Sequence, residues 1–243
     1  MTDRSTSFGR AAADYARGRP GYPDDAVAWM LEGVEGRVLD LGAGTGKLTA
    51  AVLHAGRDVV AVDPDPVMLA TLEAHVPRAR VLRGRAEEIP LPDASVGAVV
   101  LGQAWHWVDV EAASAEIARV LTPGGVLGLV WNIRDERDPW VATLGRVIGH
   151  STAELLLADG GPRVAAPFGP LETYESAWTR PFTASSLHAL VRSRSNYITG
   201  PDALKRDIDT ALDALIARTA GLADGGEAAM PYVTHAFRAR VAG

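Results

Sequence analysis

Five short apolar runs, at 37–41, 58–63, 79–83, 96–102 and 126–131, follow one another with helix-length stretches between them. Each is continuous and rich in Val and Leu, where a half-exposed strand would alternate apolar and polar residues, so these are expected to be strands covered on both faces. Of the helices between them, one opens at Gly46, one starts at Asp65 with Pro66 in its first turn, and one covers 110–121. Thr122-Pro-Gly-Gly125 then turns the chain into the fifth run. This order predicts an α/β, Rossmann-like fold, with a mostly parallel sheet and helices on both faces.

The flanks extend that plan. Residues 8–23, FGRAAADYARGRPGYP, read as a short helix breaking at Gly18 and Pro20, and a second helix is expected over 24–33. Beyond the fifth run, 134–158 reads as helical, 160–170 as a Gly/Pro-rich connection and 171–183 as a strand. Helices near 185–194 and 201–220 precede a last strand within 231–241. The tail thus brings the sheet to seven strands, the last entering antiparallel, and adds helices placed to cover a ligand edge. The expected organisation is an N-terminal cap at 1–35, a ligand-binding core at 36–133, and a C-terminal part at 134–243 that completes the sheet and forms a lid.

Charge and cysteine content narrow the function. A formal net charge of -6 leaves no basic field to attract a polyanion, so nucleic acid is not an expected partner. With 0 cysteines there is no disulfide framework, no thiolate nucleophile and no cysteine-liganded zinc, and no metal site is expected. The opening MTDRSTSFGR lacks a signal-peptide apolar run, and no segment has the ~18 uninterrupted apolar residues of a membrane span. A cytoplasmic protein with no membrane association is expected.

The first strand runs into a glycine loop, VLDLGAGTG at 38–46, with glycines at Gly42, Gly44 and Gly46 and an acid at Asp40. A dinucleotide loop has the spacing G-x-G-x-x-G and rests a pyrophosphate on the following helix. Here the third glycine comes one residue early, and Asp40 stands where it would repel phosphate and attract an ammonium group. S-adenosylmethionine carries such an ammonium group and no phosphate. Glycines let the backbone approach a ligand that a Cβ would strike. The second strand ends VVAVDPD, placing Asp63 beside the first strand's end, where a carboxylate accepts from both ribose hydroxyls. That acid alone suits a nicotinamide dinucleotide equally well.

Four blocks, VLDLGAGTGKLT, VVAVDPDPVMLATL, GRAEEIPLPDASVGAVVLGQAWHWVD and AEIARVLTPGGVLGLVWN, resemble the class I S-adenosylmethionine-dependent methyltransferases of the small-molecule, type 11-like branch. The N-terminal F-x6-Y-x3-RP-x-YP and the WN ending the fifth run further resemble trans-aconitate-type methyltransferases. The resemblance implies a S-adenosylmethionine-binding core in which Gly42, Ala43 and Gly44 approach the methionyl part, Asp40 orients its ammonium group and Asp63 holds the ribose. It further places Met68 against the adenine ring, the Ala86 N–H at a ring nitrogen and Gln103 beside the methionyl part. Tyr15 or Arg19 would close over the cofactor or bind its carboxylate. Many relatives have Asp before the alanine; this chain has Arg85, with Glu87 as the substitute partner for the adenine amino group.

A sulfonium methyl is already activated, so alignment and exclusion of water carry the catalysis and no protein nucleophile is required. A carboxylate acceptor attacks directly, whereas a phenol or amine must lose a proton. The candidate base is His106 in AWHWVD, weighed against a structural histidine bonded to backbone. Neighbours in an extended segment point opposite ways, so His106 and a flanking tryptophan face one ligand only if the loop turns. Arg134, and Arg194 and Tyr197 from RSRSNY, are the candidate anchors for an acidic substrate. The expected activity is methyl transfer to an O, N or C atom of a small-molecule acceptor, with a carboxylic acid among the candidates. A non-catalytic S-adenosylmethionine binder and a nucleotide-cofactor oxidoreductase are the rivals.

Overall fold

The structure, a computed structural model, describes residues 18–241. The expected helix within 8–17, and Tyr15 with it, lies outside the described residues.

Seven strands form one sheet in the order β3-β2-β1-β4-β5-β7-β6. They are β1 Val38–Leu41, β2 Val59–Asp63, β3 Arg80–Arg83, β4 Val96–Gly102, β5 Leu121–Arg134, β6 Glu172–Phe182 and β7 Ala228–Arg240. The first five are mutually parallel, and β7 runs antiparallel to both β5 and β6. The strand order reverses between β1 and β4, and a parallel sheet opens its ligand crevice at the carboxyl ends of the strands at such a switch point.

The helices are α1 Asp24–Met30, α2 Lys47–His54, α3 Pro66–His75, α4 Val110–Val120, α5 Pro139–Ile148, α6 Thr152–Ala158, α7 Ala184–Arg192, α8 Ser195–Thr199 and α9 Asp202–Ile216. Asp65, Asp109 and Asp138 start three of them by accepting from Val67, Ala112 and Trp140 N–H. Alternate residues of the strands feed two cores. Leu39, Leu41, Val99 and Leu101 meet Ile117 of α4 on one face, while Val38, Ala98 and Val100 meet Val27 and Met30 of α1 on the other. A third core joins α5, α7 and α9 to Phe182, Met230 and Tyr232.

Three expectations need correction. The strand β3 is an edge, with Arg80 and Arg83 exposed, so it is not covered on both faces. The single helical stretch over 134–158 is instead the end of β5 followed by two helices. Gly149, at φ 69, terminates α5, and Ser151 starts α6 with a capping box that uses Glu154. The strand β5 begins earlier and ends later than 126–131, because it pairs from Leu121 with Val96 and as far as Arg134 with Tyr232.

Candidate active site

The loop after β1 returns beneath β2. Gly42 and Ala43 donate N–H to Val62 O at 2.8 and 3.1 Å, and Gly44 donates to Asp63 Oδ2 at 2.9 Å. Gly42 sits at φ 70, and a Cβ there would lie 2.8 Å from the Ala104 Cβ. Gly44, at φ 55, differs: its Cβ would meet nothing within 4 Å, because that face of the loop opens on a cavity. The cavity encloses about 250 Å³ at the carboxyl ends of β1, β2 and β4. A smaller recess of about 30 Å³, lined by Asp40, Ala43 and Asn132, shares Arg19, Gly42, Gly44 and Gln103 with it.

Two buried acids bound this space. Asp40 is 1% exposed, and Thr49 Oγ1 donates to its Oδ2 at 2.6 Å. Burial pushes the Asp40 carboxyl up to about 7 despite that bond, with a smaller push from Asp63. Asp63 is also raised, chiefly by burial. Its oxygens accept from Gly44 N–H and from Asp65 N–H at 2.8 Å, using two of about four lone-pair sites. Both carboxylates would be stabilised by a ligand bringing positive charge or hydrogen-bond donors.

The rest of the wall comes from α3, the segments that follow β3 and β4, and residues 151–153. Met68 on α3 and Ala86 line the cavity at the Asp63 end. Glu87 lines it as well, and its Oε1 accepts from Asp109 N–H at 3.1 Å while its Oε2 stands 4.0 Å from Arg85 Nε. Gln103, the residue after β4, sits in the left-handed region at φ 58, held by its N–H to Val130 O at 2.9 Å and its Nε2 to Asn132 O at 3.1 Å. A non-glycine residue there carries strain that surrounding bonds must fix in place. Asn132 Nδ2 donates to Gly21 O at 2.9 Å, which ties the segment carrying Arg19 over the cavity.

Trp105–Trp107 form one 3-10 turn. The turn sends Trp105 inward, where its indole donates to Arg163 O at 2.8 Å, and leaves both His106 and Trp107 on the cavity. Their rings stand 4.9 Å apart. His106 Nδ1 accepts from Trp131 Nε1 at 3.4 Å. Burial and then the charge of Arg19 lower the ring's pKa to about 4.

Residues 39–129 match the methyltransferase domain family. An uncharacterized methyltransferase of Mycobacterium tuberculosis is 48% identical over 245 residues, spanning 99% of this chain and 98% of that protein. A methyltransferase-like protein of Schizosaccharomyces pombe is 32% identical over 247 residues, spanning 95% and 94%. A solved structure from Anaeromyxobacter dehalogenans, assigned as a type II methyltransferase, superposes with a TM-score of 0.54 at 25% identity, over 92% of this chain and 98% of that one. The chain belongs to the class I S-adenosylmethionine-dependent methyltransferases.

The methyltransferase site fits that cofactor on its own geometry. The open face of Gly44 leaves room for it, and the two desolvated acids call for an ammonium group and hydroxyls.

The expected base at His106 requires correction. An indole N–H only donates, so the 3.4 Å contact with Trp131 engages the Nδ1 lone pair and favours the tautomer with its proton on Nε2, which then has no lone pair to take up a proton. The ring's partner is a side chain and not backbone, and what it offers the cavity is a donor. The substrate anchors also lie elsewhere. Arg134 and Arg194, with side chains 5% and 4% exposed, share Glu154 at 2.6 and 3.5 Å behind the cavity wall, and Arg194 also donates to Gly149 O at 2.7 Å. Burial alone would raise the Glu154 carboxyl, and the two arginines bring it below its usual range. Burial and the charge of Arg134 lower Arg194 to about 10. Tyr197 donates to Asp209 Oδ2 at 2.9 Å. None of the three lines the cavity. Through Glu154, which caps Ser151 N–H, the arginines instead hold the wall segment 151–153.

Four contributors escaped the sequence reading: Thr49, Asn132 as a tie to Gly21, Trp131 as the partner of His106, and the 151–153 wall. Only Thr49 left a local signal, a hydroxyl in the first turn after the glycine loop.

Proposed function

We propose that the protein transfers the methyl group of S-adenosylmethionine to an O, N or C atom of a small-molecule acceptor, with carboxylic acids the first class to screen. The observation that supports this reading is the placement of two buried, raised carboxyls around the glycine loop, Asp63 on the cavity and Asp40 on the recess that shares its lining, which disfavours a pyrophosphate and favours a cationic, hydroxyl-bearing ligand. Asp40 takes the ammonium group, Asp63 the ribose, Met68 and Ala86 the adenine, and Gln103 the methionyl part. Arg19, which lines both cavity and recess, takes the methionyl carboxylate. Gly42 and Ala43 keep the backbone close to it.

The cofactor supplies an activated methyl group. The chain's own contribution is to align the acceptor and exclude water, an effect worth up to roughly 7–11 kcal/mol in well-oriented systems. In this reading residues 18–35 cap the 36–133 core and 134–241 complete its sheet and form a lid, while the remainder of the expected 1–35 cap and 134–243 segment lies outside the described residues. Among the described residues no helix is long and apolar enough to cross a membrane, and no group of acids and histidines is arranged to hold a metal. We assign the protein to the cytoplasm with no nucleic-acid partner, on its acidic balance.

Calorimetry with S-adenosylmethionine and its demethylated product tests the cofactor. Asp63→Ala removes hydrogen bonds to a charged acceptor and is expected to weaken binding about 10- to 150-fold per bond lost. Unchanged affinity would refute the ribose placement. A labelled-methyl screen of acids, phenols and amines then tests transfer; binding without turnover of any of them would identify a non-catalytic binder, and binding of a reduced nicotinamide cofactor alone an oxidoreductase.

A further inference from the structure

Two guanidiniums share one carboxylate in the interior behind the cavity wall, and the sum is a buried positive charge. Arg134, at the end of β5, and Arg194, just before α8, both turn Nη2 to Glu154 of α6, and the Glu154 side chain is itself only 10% exposed. Among the described residues no second acid bonds either arginine. Burial and the charge of Arg134 lower Arg194, and Glu154 offsets this only in part. A planar guanidinium presents Nε–H and Nη2–H as a fork. In both arginines the Nε prong is buried and has no partner among the described residues, and the same is true of the Tyr232 hydroxyl. Tyr232 lies directly across from Arg134 in the pairing of β5 with β7, which puts the two side chains on one face. Its ring stacks on Trp178 at 5.0 Å and on Phe182 at 6.5 Å, so the hydroxyl does not swing away. Burial raises the phenol's pKa against the opposing charges of Arg134, Arg19, Arg180 and Arg194, which keeps it a donor at neutral pH.

We propose that Arg134 Nε, Arg194 Nε and the Tyr232 hydroxyl bind one small inorganic anion, chloride, which completes a ring of alternating charge running Glu154, Arg134, anion, Arg194. The site is separate from the methyl-transfer cavity, and the proposal does not depend on that reading. Charge decides against water as the occupant. A water molecule satisfies hydrogen bonds and leaves the excess charge buried, which is strongly unfavourable, whereas a monovalent anion satisfies the donors and brings the group to neutrality. Size decides against an organic acid, since neither the cavity nor the recess reaches these three residues. The anion would act as a brace: Glu154 accepts from Ser151 N–H, so the ring it closes holds the wall segment 151–153.

The experiment titrates sodium chloride against the unfolding of the full chain, with sodium gluconate holding the ionic strength constant and sodium acetate as a second comparison. In wild type the folded-to-unfolded ratio is expected to rise about tenfold for each tenfold increase in chloride above its dissociation constant. Tyr232→Phe keeps the ring and removes one donor to a charged ligand, so its chloride response is expected to move to concentrations about 10- to 150-fold higher. Arg194→Met leaves Arg134 and Glu154 as a neutral pair and is expected to abolish the response. Crystals of wild type grown with sodium bromide give a readout that no variant has to fold for: anomalous scattering should place bromine within hydrogen-bond distance of both Nε atoms and the Tyr232 oxygen. Stability that follows ionic strength whichever anion is present, equal stabilisation by acetate, an unshifted chloride response in Tyr232→Phe, a wild-type response in Arg194→Met, or water without bromine between the guanidiniums would each overturn the proposal.

Discussion

Asp40 should make cofactor binding depend on pH. Buried in the recess beside the glycine loop, its carboxyl is pushed up to about 7, so close to half the molecules hold a proton there at neutral pH. An ammonium group beside it favours the ionised form, so binding expels that proton. The binding-competent fraction is 1/(1 + 10^(7−pH)), about 9% at pH 6 and about 91% at pH 8, which makes the affinity rise about tenfold, or about 1.4 kcal/mol. Calorimetry at pH 7 in buffers of different ionisation enthalpy should show release of about half a proton per cofactor bound, and Asp40→Asn should abolish both the release and the pH slope. The same group affects folding in the opposite sense. Its pKa is raised in the folded state, so its stabilising contribution is full below its ordinary value of 3.8 and is lost as pH climbs to about 7. Affinity that is flat from pH 6 to 8, with no proton released, would refute the reasoning.

Glu154→Gln leaves the buried guanidiniums of Arg134 and Arg194 without their shared carboxylate and should cost about 3–5 kcal/mol in denaturant unfolding; a loss under 1 kcal/mol would show the cluster to be solvated. Gly42→Ala and Gly44→Ala both force a side chain into the left-handed region, at about 1–2 kcal/mol each. Only Gly42→Ala also meets Ala104 and should melt lower, whereas Gly44→Ala projects into the cavity and should lose S-adenosylmethionine affinity out of proportion to its melting temperature. Equal effects of the two on binding and on melting would contradict the open face assigned to Gly44.

What the sequence revealed about this site was what adjacent strands build locally. Asp40 and Asp63 fall at the ends of neighbouring Val-rich runs, and a parallel sheet delivers both to one edge, so their proximity follows from the pattern itself. The edge position of β3 was hidden, because a short apolar run reads the same at the centre of a sheet as at its margin. The arginines misled for another reason. Arg134, Glu154 and Arg194 lie on three elements of the C-terminal part, and a periodic helix bearing arginine looks solvated until its tertiary partner is known. His106 shows the limit most clearly: its place at the sheet edge was legible, but its tautomer is biased by an indole 25 residues away.

The antiparallel strand lies inside the sheet, between β5 and β6, and it is the last to be synthesised. When Arg134 leaves the ribosome, one side of β5 has a full row of unmatched peptide groups, and its partner begins only at Ala228. At about 5–20 residues per second that margin waits roughly 5 to 20 s for its complement. Newborn chains at high concentration can pair with one another through it, so slowing initiation, which lowers their concentration without lengthening the wait, should raise soluble yield more than any change to the cavity.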